Sequence, residues 1–226
     1  MLINQINYSE IVKQLKQKEI VLVAVSKTKP VEAIKELYDL GQRDFGENYV
    51  QELADKQKQL PQDIHWHFIG HLQSNKVKQL APFVHLIHGI DSYRLLKEVN
   101  KHAAKNNRVI DVLLQVHIAQ EETKFGFDEG ELRGLLVENS SLTLELKNVN
   151  ICGLMGMASF TDDKQKVRSE FKYLKSIFDN YAWLQTANCK MQTLSMGMSG
   201  DYTVAIEEGS NMVRIGSLIF GERSYH

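Results

Sequence analysis

Residues 21–30 read VLVAVSKTKP, five apolar residues that give way at once to Ser26, Lys27, Thr28, Lys29 and Pro30. A short apolar run closed by polar residues and a proline reads as a buried strand with a helix start just beyond it. The same alternation recurs along the chain. Strands are predicted at 20–26, 43–46, 65–69, 84–90, 109–118, 149–157, 191–196 and 211–215. Helix-like stretches lie between them at 30–40, 47–59, 73–80, 91–106, 128–139, 162–184 and 201–208, and an amphipathic segment before the first strand supplies an extra N-terminal helix. An eighth helix is expected only in the short tail after Phe220.

Local punctuation fits these boundaries. Pro30 stands where a missing N–H costs little, and Gly41 follows the same helix as a stop. Asp91 and Asp162 are N-cap candidates, and Gly209 closes the helix before it. Eight β-then-α units make either a closed barrel or a doubly wound open sheet. The count of eight, with no GxGxxG after the first strand, favours an α/β fold built as a single (β/α)8 TIM barrel. No linker or low-complexity block interrupts residues 1–226, so one domain is expected.

Composition narrows the function classes. Lysine and arginine number 27 against 28 acids, a net charge of −1, which leaves no basic footprint for nucleic acid or an anionic membrane. The apolar runs fall well short of the ~18 residues of a membrane span, and the first 20 residues lack a signal-peptide pattern. Cys152 and Cys189 lie far apart, without metal or redox spacing, and read as reduced thiols of a cytoplasmic protein. A monomer is expected.

Barrel sites sit at the carboxyl ends of the strands. Here those ends carry Ser26-Lys27, Gly46-Glu47-Asn48, HWHFIGHLQSNK, LIHGIDS, GLMGM, LSMGMSG and VRIGS. Barrels that bind phosphate often use the loops after strands seven and eight, here Ser195–Gly200 and Gly216-Ser217, where small residues admit close backbone N–H groups. Arg214 shares a strand face with Gly216, so it points inward and needs an acceptor: a neighbouring carboxylate or a ligand atom. Lys27 shares the face of Val23 and Val25. It is either a snorkelling strand end or an amine poised for Schiff-base formation, and spacing alone leaves both readings open. Lys29, one period on, is the snorkelling comparison. His65 and His67 alternate around Trp66 without an acid or cysteine at ligand spacing, so no metal site is predicted. Glu47 and Glu52 are expected at a helix N-terminus and on a solvated face.

VAVSKTKP, FGENYVQE, WHFIGHLQSNK, LIHGIDS, GLMGM, LSMGMSGD and NMVRIGSLIFGER, in this order from about residue 20 onward, resemble the pyridoxal-phosphate homeostasis proteins. The resemblance implies a fold-type III barrel similar to the N-terminal domain of alanine racemase. It also implies pyridoxal 5′-phosphate as cofactor, a place in vitamin B6 and amino-acid homeostasis, and no established turnover. Carried over by motif, Lys27 forms the internal aldimine, Asn48 lies beside the cofactor ring, Arg214 faces the pyridine nitrogen, and Ser195, Gly216 and Ser217 hold the phosphate. An arginine can only donate, so the ring nitrogen it faces stays unprotonated and is a weaker electron sink. With the chain ending at His226, no second domain with a tyrosine base is expected. The reading is therefore a carrier that exchanges the cofactor with free amino acids and pyridoxal-phosphate-dependent apoenzymes, and the alternative is a racemase or related amino-acid enzyme.

Overall fold

The computed structural model describes residues 2–118, 125–138 and 140–221. Beyond Gly221, the tail expected to hold an eighth helix lies outside the described residues, as does residue 139 at the end of the expected 128–139 helix. After the helix α1 (Gln5–Lys16), the chain runs β1 (Val21–Val25), α2 (Val31–Asp39), β2 (Asp44–Glu47), α3 (Val50–Gln57) and β3 (His65–Phe68). It continues through α4 (Val77–Leu80), β4 (Leu86–Ile90), α5 (Tyr93–Lys105) and β5 (Ile110–Gln115) to α6 (Glu129–Arg133) and α7 (Ser140–Leu144). The last third is β6 (Val149–Met155), α8 (Lys164–Asn180), β7 (Gln185–Thr186), β8 (Cys189–Met198), α9 (Tyr202–Glu207), β9 (Met212–Ile215) and α10 (Ser217–Phe220).

Eight of the strands close into one parallel ring. β1 pairs with β2 on one side and β9 on the other, and β6 pairs with both β5 and β8, which leaves no open edge in the ring. β7 is the exception, a two-residue strand antiparallel to the start of β8 and outside the ring. It lies between the expected helix at 162–184 and the expected strand at 191–196; α8 stops at Asn180, and Tyr181–Leu184 form a turn leading into β7.

Two other boundaries shifted. The stretch expected as one helix at 128–139 splits into α6, a π-turn over Gly134–Glu138, and α7. Asp128 and Glu131 form a capping box that fixes its start, while Gly130 and Gly134 weaken its continuation. The N-caps of α5 and α8 are Ser92 and Asp163, each one residue after the expected aspartate.

Strand alternation sorts the side chains into two cores. Leu22, Ala24, Phe45, Phe68, Val213 and Ile215 are buried outward against the helices, whereas Val23, Leu86, Leu113, Cys152, Met155 and Met212 fill the barrel interior as a separate cluster. Cys152 is thus a small interior residue, with burial pushing its thiol up to about 12. Ring closure between β6 and β8 rests on Gly153. Its φ is +157°, and a Cβ there would stand 1.8 Å from the Thr193 carbonyl oxygen. α1 ties the two ends of the chain together, since Asn4 N donates to Ile219 O at 2.7 Å and Asn7 Nδ2 to Leu218 O at 3.2 Å. No helix among the described residues is long and apolar enough to cross a membrane.

Candidate functional site

A cavity of about 510 Å³ opens at the carboxyl ends of the strands, within the range of small-molecule and cofactor sites. Lys27, Asn48, Arg214, Gly216 and Ser217 all border it, brought together from the ends of β1, β2 and β9. Ser195 does not. It is fully buried in β8, where its hydroxyl accepts from Arg214 Nη1 at 2.6 Å. Ser199, two strand periods further on, borders the cavity instead, and its Oγ accepts from Gly216 N at 3.2 Å.

Lys27 projects from a turn that is held from below. Ser26 Oγ donates to Glu47 Oε1 at 2.7 Å, and Lys56 Nζ donates to Glu47 Oε1, Glu52 Oε1 and the Ser26 carbonyl at 2.7, 2.6 and 2.8 Å. Glu52 Oε1 also accepts from Thr28 N at 2.6 Å, bracing a threonine in the left-handed region at φ +63°. Each neighbour of Lys27 is therefore fixed by one buried ion cluster. Lys29, in contrast, turns aside and donates to Phe220 O at 2.9 Å and Gly221 O at 3.2 Å.

The cluster corrects the expectation for Glu47, whereas Glu52 stands in the first turn of α3. Glu47 ends β2 fully buried rather than opening a helix in solvent, and Glu52 joins it through the shared lysine. Burial pushes the Glu47 carboxyl up to about 7, against the opposing pull of Lys56 and Ser26. The pair Glu52/Lys56 is four residues apart and visible as a helix pair; nothing in the spacing of Glu47 marks it as a third member.

At the opposite wall, Arg214 Nη1 donates to both Ser195 O and Oγ, at 2.9 and 2.6 Å, and Nη2 to Gly156 O at 3.1 Å. A neighbouring carboxylate, one of the two expected acceptor types, supplies none of these bonds. Burial lowers the guanidinium to about 10, with the charge of Asp201 acting the other way, so it stays protonated at neutral pH. Among the described residues Nε has no protein acceptor, and the side chain lines the cavity.

Between these walls, Gly216 comes so close to β1 that a Cβ would lie 3.1 Å from the Val25 carbonyl oxygen. Ile219 N and Phe220 N donate to Gly216 O at 2.9 Å, which leaves the N–H groups of Ser217 and Leu218, with the Ser199 and Ser217 hydroxyls, as the donors of this corner. Asn48 Oδ1 is buried without a hydrogen-bond partner among the described residues. The third wall is the loop after β6, where Ser159 N and Oγ donate to the two oxygens of buried Glu170 on α8, both at 2.7 Å. Met157, Phe160 and Met198 line the mouth as an exposed apolar lip. Sequence reasoning missed Ser199, Ser159 and Glu170. Ser199 shares the SMGMSG run and the alternation of Ser195, whereas the Glu170 contact is a tertiary pairing without a local signal.

His65 and His67 both approach Asp44 Oδ1, at 3.2 and 3.0 Å. No group of three or more histidine, cysteine, aspartate or glutamate side chains among the described residues is placed to hold a metal ion.

Comparison with known proteins fits this arrangement. A family model described as alanine racemase, N-terminal domain, matches residues 5–224. The pyridoxal phosphate homeostasis protein of Aquifex aeolicus is 45% identical over 205 residues, covering 90% of this chain and 87% of the relative. The protein of the same name from Escherichia coli K12 is 40% identical over 211 residues, covering 92% and 87%. Among solved structures, PipY of Synechococcus elongatus without PLP superposes with a TM-score of 0.87 at 34% identity, over 95% of this chain and 98% of PipY. PipY with PLP bound superposes with a TM-score of 0.82 at 34% identity, over 94% and 99%. The alanine racemase of Clostridium difficile, 16% identical, shares the fold with a TM-score of 0.71, over 95% of this chain and 58% of the racemase. The chain belongs to the pyridoxal phosphate homeostasis proteins of the alanine racemase N-terminal domain family.

Proposed function

We propose that this chain binds pyridoxal 5′-phosphate in the barrel cavity, with Lys27 as the attaching amine, and passes it on. The observation that carries the reading is the convergence of Lys27, Asn48, Arg214, Gly216 and Ser217 on one cavity. The relatives' names and the PLP-bound PipY structure support the same cofactor. The residues fit it: Asn48 Oδ1 is a buried acceptor without a partner among the described residues, and the absent Cβ of Gly216 leaves backbone room at the donor-rich corner.

Bound pyridoxal phosphate supplies an electrophilic aldehyde carbon and an electron-withdrawing ring. Lys27, on the cavity wall, would supply the amine that holds the group at that carbon. Arg214 presents donors only, so it holds the ring nitrogen as an acceptor and keeps a proton off it. Ser199, Ser217 and the N–H groups after Gly216 orient the phosphate, and Asn48 orients the ring edge. The apolar lip of Met157, Phe160 and Met198 shields the mouth from water. Keeping the ring nitrogen unprotonated restrains carbanion chemistry, which suits holding and exchange. The protein acts in this reading as a single-domain cytoplasmic monomer, and free amino acids and pyridoxal-phosphate-dependent apoenzymes take the cofactor from Lys27.

Borohydride reduction of the purified, cofactor-loaded chain is expected to fix one pyridoxyl group on the peptide containing Lys27 and to remove the visible absorption band. Lys27→Ala should lose both signals. A variant that keeps the fixed group, or its band, overturns the assignment of Lys27.

A further inference from the structure

Arg214 is a buried cation without a direct carboxylate partner among the described residues. What lies behind it is a line of side chains through the barrel interior. Ser195 Oγ, which accepts from Arg214, stands 3.2 Å from His88 Nδ1. His88 Nε2 stands 2.9 Å from His67 Nδ1, and His67 Nε2 stands 3.0 Å from Asp44 Oδ1. Asp44 begins β2 at the amino end of the barrel with its side chain 28% exposed, while His67, His88 and Ser195 are buried.

Hydrogen-bonding capacity gives this line a direction. A guanidinium can only donate and a carboxylate can only accept. Arg214 therefore donates to Ser195, and Asp44 accepts from His67 Nε2. An imidazole that donates from Nε2 and carries one proton accepts at Nδ1, so His67 Nδ1 would take the His88 Nε2 proton and His88 Nδ1 the Ser195 hydroxyl proton. In that order one proton occupies each link and both imidazoles are Nε2–H tautomers. Burial, helped by the charge of Arg214, holds the His88 imidazole well below the ordinary histidine range. At Asp44 burial pushes the carboxyl up, but the hydrogen bonds of His67 and His65 outweigh it and hold the carboxyl below the ordinary range.

We infer that Asp44, His67, His88 and Ser195 form an ordered donor chain that positions Arg214 for the cofactor and carries the influence of a carboxylate at the amino end of the barrel to the site at its carboxyl end. The chain gives Arg214 a polarised acceptor in place of a directly bonded carboxylate. The two Nη1 bonds and the Nη2 bond fix the guanidinium plane, so Nε is presented in one orientation. Asp44, His67, His88 and Ser195 are positioning residues. The role in cofactor binding rests on the proposed pyridoxal phosphate site; the proton order does not.

The full-length chain labelled with 15N-histidine and free of cofactor tests the order directly. Two-bond imidazole correlations at neutral pH should show His67 and His88 as neutral Nε2–H tautomers. Asp44→Leu removes the terminal acceptor and should turn His88, two links away, into a tautomer mixture. Asp44→Asn keeps an acceptor oxygen and should preserve the wild-type pattern. His65→Gln, which touches the same Asp44 oxygen but lies off the line, should leave His88 unchanged. In the second arm, Ser195→Ala should weaken pyridoxal phosphate binding, read from the visible band, by roughly three- to tenfold through loss of a charge-assisted bond to Arg214. An imidazolium or Nδ1–H His88 in the wild type, or an unmoved His88 in Asp44→Leu, overturns the order. A dissociation constant for Ser195→Ala within twofold of wild type overturns the positioning role. A wild-type chain that takes up no pyridoxal phosphate overturns the proposed cofactor and that role with it, while the tautomers still decide the order.

Discussion

Glu47→Gln isolates the energetic consequence of burying the ion cluster under Lys27. In the folded chain burial raises the Glu47 carboxyl from 4.5 to about 7, even though Lys56 and Ser26 both pull it down. A raised carboxyl means that the native state binds more protons than the unfolded chain between those two values. Stability associated with Glu47 is therefore fully present below pH 4.5 and is lost as pH rises through 7. A displacement of that size couples folding to pH by about 3 kcal/mol. Other groups add their own slopes, so the informative quantity is the difference between wild type and variant. The amide in Glu47→Gln keeps an oxygen to accept from Ser26 but has no proton to exchange, and Lys56 keeps Glu52 at 2.6 Å. Urea denaturation of the cofactor-free chain at half-unit steps from about pH 5 to 8 is the assay. The wild type should lose about 2.5 kcal/mol more than Glu47→Gln between those limits, seen as a steeper fall in midpoint at unchanged m-value. Parallel profiles would refute the reasoning, and would mean that the Lys56 pair outweighs burial and holds Glu47 ionised throughout.

The remaining predictions concern the frame of the site. Gly153→Ala places a Cβ 1.8 Å from the Thr193 carbonyl oxygen at φ +157° and should cost more than about 4 kcal/mol, read as a collapse of soluble yield or thermal midpoint. Gly134→Ala, where a Cβ meets nothing within 4 Å, should be neutral or stabilising by up to about 1 kcal/mol in the same measurement. Glu170→Ala removes both acceptors of Ser159 and should speed amide exchange and proteolytic nicking at 157–161, with weaker pyridoxal phosphate binding and little change in exchange across β1–β5.

Much of the barrel was legible because its periodicity is strong and local. Val23 and Val25 alternate with Leu22 and Ala24, and the structure sets Val23 in the interior cluster and Leu22 and Ala24 in the helix-facing core, as a parallel barrel requires. The same alternation turned Arg214 inward. What the sequence hid were contacts made across the ring. β7 is two residues long and exists only by pairing with β8, so it carries no period of its own. Glu47 lies one residue beyond the predicted strand, next to a plausible helix start, and only the fold brings Lys56 beneath it. For the site, the motifs named which residues end the strands but not which way they face. Ser195 and Ser199 sit four residues apart in one glycine-rich run; the β-bulge between Ser195 and Met198 in the β8–β9 pairing sets the first against Arg214 and lets the second reach the cavity wall.

The interior explains why polar chemistry survives at one end of an otherwise apolar barrel. A ring filled only by Val, Leu and Met would offer Arg214 no acceptor, and an unpaired buried guanidinium is prohibitively unfavourable. Placing a carboxylate directly beside it would neutralise that charge, and would also set a negative group against the donors gathered for a phosphate. The guanidinium instead donates to neutral groups, two carbonyls and a hydroxyl, while Asp201, which lines the cavity and acts on it only through its charge, accepts from Met198 N, and Asp44 stands at the far end of β2. The cation is satisfied without being cancelled. On the β1 side the acids Glu47 and Glu52 are engaged from below by Lys56, Ser26 and the Thr28 N–H, so their charge is answered within the cluster while the turn that carries Lys27 is held rigid. Exchanging the neutral acceptors of Arg214 for a direct salt bridge, as in Ser195→Asp, should therefore satisfy the guanidinium more fully and weaken binding of a phosphorylated cofactor at the same time.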